Sequence, residues 1–240
     1  MSKNTIIYLI AAVAATGGLL FGFDTGVINV ALPSLREQLQ LRPSQESMVV
    51  GAVLFGAMFG PFISGFLTDK LGRKKINIIA SLVFVVGSIL AAIAPDTNSL
   101  IAGRLLLGLA IGIVAATVPL YLAELSPKDK RGRMVTFFQL AITIGILLSY
   151  VVGYIFGDAE NAWRLMFWAG FVPAIILFVG MLLVPESPRW LLTKGRNEEA
   201  LKVLNQLRTP DEAVAEYNET LKLLEEEKLN KSSWMELFMP

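Results

Sequence analysis

Two formal charges, Asp24 and Arg104, stand well inside long apolar stretches of this 240-residue chain. A lone charge at the centre of a bilayer costs at least about 2.5–3.5 kcal/mol, so such groups pair with each other or line a wet cavity. Burial and a neighbouring guanidinium pull a carboxyl group's proton affinity in opposite directions. A cavity opening alternately to two sides would tip that balance, which is how a membrane carboxylate carries a proton; the alternative is a static ion pair that only fixes helix packing. Gln139 stands in another apolar stretch. Its amide offers two donors and an acceptor without charge, which suits a polyhydroxylated ligand or an interhelical hydrogen bond. Phe21, three residues before Asp24, carries a ring that covers the C–H face of such a ligand or simply packs.

A second set of charges lies where apolar stretches end. Asp69 and Arg73 flank the turn at Gly72, and Glu124 and Arg131 flank Ser126-Pro127. Carboxylates and guanidiniums on neighbouring helix ends form bidentate pairs that hold one conformation and break in another. A merely positive anchor is the other reading of the same charges.

Whole classes of chemistry are excluded by composition. With no Cys and no His, there is no disulfide framework, thiol nucleophile, Ser-His-Asp triad or His-ligated zinc. Cofactors and metals are expected to be absent, and an enzyme is a poor reading. A net charge of +1 argues against a nucleic-acid partner. Gly195 is followed by Arg196 and Asn197 rather than by a phosphate-binding loop, so transport driven directly by ATP is not expected.

The elements that hold these residues follow from hydropathy. Hydrophobic residues make up 54% and charged residues 17%, against roughly 25% charged in soluble domains, so the chain belongs in a bilayer. Six runs are long enough to cross one. They extend from about Thr5 through Phe23 and past Asp24 toward Leu32, then over Met48 to Thr68, Ile76 to Ala94, Ser99 to Ala123, Met134 to Phe156 and Leu165 to Val184. The first is too long for the apolar region of a signal peptide and reads as a retained helix. With the N-terminus inside, inner segments hold nine Lys and Arg and outer loops only Arg36, Arg42 and Arg164, which places both termini in the cytoplasm. Counted from Leu32, Asp24 lies roughly 12 Å deep, and Arg104 lies roughly 8 Å from Ser99 on an oppositely directed helix, so the two meet in the outer half. Gln139, six residues beyond Arg133, lies roughly 9 Å from the inner surface, at a different depth from Asp24.

Residues 1–184 therefore read as a six-helix transmembrane bundle and 185–240 as a cytoplasmic helical linker. In the linker, Asn197 is expected to cap a helix bearing Ala200, Val203, Leu204 and Leu207 on one face and ended by Pro210. A second helix, Asp211 to Leu229, aligns Val214, Tyr217, Leu221 and Leu224. Gly51, Gly56, Gly60 and Gly65, with Gly108 and Gly112, are small residues of the kind that let membrane helices approach closely.

Five stretches in this order resemble the N-terminal half of a sugar porter of the major facilitator superfamily: Gly22 to Ile28, the Gly65 to Lys75 turn, Gly103-Arg104 through Tyr121 to Glu124, Arg131-Gly132 followed by Gln139, and Pro185-Glu186-Ser187-Pro188-Arg189-Trp190-Leu191. The resemblance implies an all-α membrane fold with a 3+3 inverted repeat. It implies that Asp24 couples a proton with Arg104 as its partner, and that Gln139 and Phe21 bind a monosaccharide. It also implies that Asp69, Arg73, Glu124 and Arg131 form an inner gating network. Aspartate at 24 points to proton symport across the cytoplasmic membrane; a uniport facilitator or a sugar-binding membrane sensor is the alternative. Ile146 stands where some relatives carry a second glutamine. The family has twelve spans, so a C-terminal six-helix half is expected as a partner, the chain being a fragment, a truncated product or one of two halves.

Overall fold

In this computed structural model, residues 3–229 are described, and among them the fold is entirely helical. Six long helices follow one another: α1 (Lys3–Leu39), α2 (Pro43–Leu71), α3 (Arg73–Ala92), α4 (Thr97–Leu125), α5 (Arg131–Phe156) and α6 (Ala162–Leu183). Each contains a stretch long and apolar enough to span a membrane. Three shorter helices close the described part: α7 (Pro188–Thr193), α8 (Asn197–Leu207) and α9 (Pro210–Leu229).

The six spans match the six apolar runs, but their ends differ because polar side chains extend the helices past the apolar region. α1 continues seven residues beyond Leu32, through Pro33, to Leu39. The extension is buttressed: Leu35 is fully buried, Arg36 forms a bidentate pair with Glu46 of α2 (2.7 Å), and Gln38 accepts a hydrogen bond from Trp163 Nε1 of α6 (2.8 Å). At the start of α4, Asp96 accepts the Ser99 N–H (2.9 Å), and that bond holds its carboxyl below the usual range.

Packing reveals an internal symmetry. α1 packs on α5 as α4 packs on α2, and α1 packs on α6 as α4 packs on α3, while the α3–α6 and α1–α4 contacts each map onto themselves. Exchanging helices one, two and three for four, five and six maps this contact pattern onto itself. An odd number of crossings separates the two triplets, so the repeat is inverted.

Glycines set the two closest approaches. Gly56 and Gly60 face the α4 backbone at Gly108 and Gly112, and a Cβ on any of these four would collide with main-chain atoms of the opposite helix. Gly18 and Gly22 meet the α5 backbone at Phe138 and Ile142, and Gly26 meets the Ser149 side chain. Gly51 and Gly65 take no part, since nothing lies within 4 Å of a Cβ built there. They share the glycine-rich spacing but point away from α4.

The linker helices depart from expectation in three places. Asn197 is the first residue of α8, preceded by Arg196, and no side chain caps that helix. Pro210 opens α9 rather than only ending α8, because its fixed φ suits a first helical turn. On α9 the inward face runs through Ala213, Tyr217, Leu221 and Leu224, while Val214 is half exposed. The α8 face of Ala200, Val203, Leu204 and Leu207 is buried as its spacing requires. α7 is too short for periodicity to show; Ser187 accepts the Trp190 N–H (3.3 Å) at its start.

Candidate functional site

Asp24 and Arg104 come together in the core of the bundle, 2% and 1% exposed, with Arg104 Nη2 3.6 Å from Asp24 Oδ2. That separation is a charge contact longer than a good hydrogen bond. Arg104 is positioned from two other helices: its Nε donates to the Val49 carbonyl of α2 (2.9 Å), and its guanidinium lies 5.6 Å from the Phe167 ring centroid of α6. Asp24 Oδ2 and Arg104 Nη1 are buried without a hydrogen-bond partner. One site thus ties together α1, α2, α4 and α6. Because α1 ends at Leu39, Asp24 sits near the middle of its helix and not about a third of the way in. Arg104 lies seven residues from the start of α4, and α1 outruns α4 at that end by roughly two turns.

The glycine contacts fix the register between α1 and α5, which run parallel: Gly18 lies against Phe138, Gly22 against Ile142, Gly26 against Ser149, and Val30 against Gly153. Gln139 is therefore level with residue 19, five residues or roughly 8 Å below Asp24. The different depths expected from the sequence are those found. Gln139 is exposed and Phe21 half-buried.

On α1, Phe21, Thr25 and Asn29 recur every four residues along an open strip between the face that meets α4 (Gly17, Asp24) and the face that meets α5 (Gly18, Gly22, Gly26). Thr25 and Asn29 donate to backbone carbonyls one turn back, at 2.8 Å and 3.4 Å, which leaves their oxygens free to accept. On α5, Gln139, Thr143, Tyr150 and Tyr154 fall within roughly 60° of arc at 3.6 residues per turn. Parallel helices share an angular sense, so this stripe opens on the same side as the α1 strip. Thr25, Asn29, Thr143 and the two tyrosines were not singled out by the sequence reading; their recurrence at helical spacing was the signal.

At the end where α2 meets α3, Arg73 forms a bidentate pair with Glu124 (Nε to Oε2 2.9 Å, Nη2 to Oε1 3.0 Å) and a weaker contact with Asp69 (3.6 Å). The expected fourth member makes no ion pair among the described residues: Arg131 is exposed at the start of α5 and lines the same small pocket as Glu124, Glu216 and Glu219 without pairing with any of them. The Pro185 to Trp190 segment docks on the same turn. Glu186 accepts the Lys74 N–H (3.0 Å) at the start of α3, Tyr121 donates to the Pro185 carbonyl (2.5 Å), and Trp190 Nε1 donates to the Asp69 carbonyl (3.0 Å). Burial pushes the Glu186 carboxyl up, against the pull of the backbone N–H groups and of Arg73. Gly72 has φ +96°, and a side chain there would run into Glu186.

The exposures separate the two Arg73 contacts energetically. Arg73 and Glu124 are 11% and 6% exposed, whereas Asp69 is 83% exposed. A double-mutant cycle on Arg73→Gln and Glu124→Gln, read as monodisperse protein surviving heating in detergent, is expected to give a coupling of about 1–3 kcal/mol. The same cycle with Asp69→Asn should give less than about 1 kcal/mol. Additive losses for Arg73 and Glu124 would contradict the pairing.

A cavity of about 690 Å³ lies elsewhere, between α8–α9 and the α4–α5 loop, lined by charges of both signs, including Lys128 and Glu219, which pair at 2.7 Å. It does not reach Asp24 or Gln139. Among the described residues no cluster of acidic side chains could hold a metal.

The comparisons decide the family. A family model described as "Sugar (and other) transporter" matches residues 10–240. The chain belongs to this family. It is 42% identical to the major myo-inositol transporter IolT of Bacillus subtilis (strain 168) over its full length, covering 52% of that protein. It is 42% identical to the galactose-proton symporter of Escherichia coli (strain K12), with 97% of the chain and 50% of the relative covered. A solved structure of the proton:xylose symporter XylE, of the major facilitator superfamily, superposes with a TM-score of 0.93 at 27% identity, covering 99% of this chain and 57% of that one. The chain is a multi-pass membrane protein with the N-terminal half of the major facilitator fold, and it spans about half the length of the curated relatives it matches.

Proposed function

We propose that the chain is the N-terminal half of a proton-coupled monosaccharide symporter that works by alternating access in the cytoplasmic membrane, with both termini cytoplasmic, and that it performs transport and no enzymatic reaction. Its partners on this reading are a hexose or pentose, a proton, the lipid bilayer and a second six-helix half. The observation that carries the proposal is the Asp24–Arg104 pair: a buried carboxylate 3.6 Å from its counter-charge, with one oxygen free of hydrogen bonds, on the helix that also carries Phe21. The relatives named above for galactose-proton and proton:xylose symport support it.

A proton taken by Asp24 cancels the charge that faces Arg104, and the guanidinium then keeps only its bond to Val49 and its place by Phe167. The hold of α1 on α4 weakens, and α1 moves with Phe21, Thr25 and Asn29 on it. Gln139, one helix away and at another depth, binds the sugar without touching Asp24, so coupling passes through helix movement. Arg73, Glu124 and Asp69 close the cytoplasmic end in one state and separate in the other, because a bidentate pair is either made or broken. Arg131 acts in this gate only in the state where α5 approaches Glu124.

A direct test uses cells expressing the whole gene in weakly buffered, de-energised suspension. Adding a transported sugar is expected to make the medium alkaline, with about one proton entering per sugar. Sugar entry without alkalinisation would establish a uniport facilitator, and binding without entry a sensor.

A further inference from the structure

The polar stripe on α5 is longer than one binding position requires. From Gln139 to Tyr150 is eleven residues, roughly 16 Å, and Tyr154 lies a further turn out, roughly 22 Å from Gln139. The glycine register places Tyr150 level with Val27 and Tyr154 level with Ala31, so Asn29 of the α1 strip lies between their heights. Tyr154 is 90% exposed and Tyr150 48%.

Tyrosines near helix ends in membranes often anchor at the lipid interface. The azimuth argues against that here. Next to the tyrosines α5 exposes a separate arc that is aliphatic throughout, with Leu140, Ile144, Leu147, Leu148, Val151 and Ile155, the composition that suits lipid. The tyrosines lie outside it, in line with Gln139 and Thr143. A tyrosine offers an apolar ring face and a hydroxyl, which matches a sugar's C–H surface and its polar rim. Asn29, exposed on the α1 strip that opens on the same side, donates through its Nδ2 and keeps its amide oxygen to accept.

We infer that Tyr150 and Tyr154, with Asn29 beside them on α1, form an outer subsite where the sugar ring stacks before it passes inward to Gln139, and which accepts an aglycone on a glycoside too large to move further. The inference rests on the reading of the chain as a sugar carrier with its α1 C-terminal end outside.

The test uses the carrier expressed from its whole gene, in right-side-out and inside-out vesicles, with the phenyl β-glycoside of the transported sugar as inhibitor. Tyr154→Ala and Tyr150→Ala are each expected to raise the inhibition constant about fivefold or more when the glycoside is added outside, and to leave it unchanged when added inside. Tyr154→Phe keeps the ring and is expected to stay within about twofold of the parent. Gln139→Ala should raise the constant from both sides. The subsite is overturned if the alanine variants inhibit like the parent, if both sides change equally, or if the variants only lower the amount of carrier in the membrane. Absence of any sugar uptake by the unaltered carrier would instead defeat the transport reading beneath it.

Discussion

Replacing Asp24 with Asn is expected to abolish uphill sugar accumulation while sugar exchange across the membrane continues. The amide keeps the shape of the carboxyl and its place beside Arg104, but it neither takes nor releases a proton. At about 100 mV, one elementary charge supplies about 2.3 kcal/mol, enough for a roughly 40- to 50-fold gradient per coupled proton. That gradient should collapse to unity in the variant. The exchange arm separates loss of coupling from loss of folding: labelled sugar inside vesicles should still swap with unlabelled sugar outside. Removing the partner is expected to be harsher for stability. Arg104→Ala strands a buried carboxylate, and breaking a buried pair from one side typically costs about 3–5 kcal/mol. Unchanged accumulation in Asp24→Asn would remove the coupling role.

Gly22→Val is expected to prevent assembly of the bundle. A Cβ at this position falls on the carbonyl group of Ile142, which belongs to the α5 backbone and cannot rotate aside. Overpacking against side chains costs about 1–3 kcal/mol; against a main chain the two helices must separate, and the α1–α5 seam that fixes the height of Gln139 opens with them. Gly65→Ala serves as the contrast. Nothing lies within 4 Å of a Cβ there, and the substitution should be neutral or stabilise the helix by up to about 1 kcal/mol. Gel filtration in mild detergent distinguishes them: aggregated protein for Gly22→Val, and a parental peak for Gly65→Ala. A well-folded Gly22→Val would show that the seam tolerates wider spacing than the structure gives it.

Much of the candidate site was legible because membranes make errors expensive. A charge inside an apolar span needs a partner, so Asp24 and Arg104 declared each other before any coordinates. Arg73 and Glu124 were legible as charges at span ends that could pair, but which carboxylate meets which guanidinium was decided by the structure. Arg131 fits by charge and position and lines one pocket with Glu124, yet it makes no ion pair among the described residues, because pairing also depends on how the α4–α5 loop is laid. Gly51 and Gly65 misled similarly, because spacing does not reveal which side of a helix faces a neighbour.

The linear sequence determined the number of spans, the exclusion of thiol and imidazole chemistry, and the identity of the two buried charges. Those follow from local free energies of transfer, which each residue carries with it. Tertiary structure alone decided the α1–α5 register, the common side of the Phe21 strip and the Tyr150–Tyr154 stripe, the Val49 carbonyl that holds Arg104, and the docking of Glu186 onto the α2–α3 turn. Each depends on the angle and height at which two helices meet, and that is settled by where backbones touch at glycines distant in sequence.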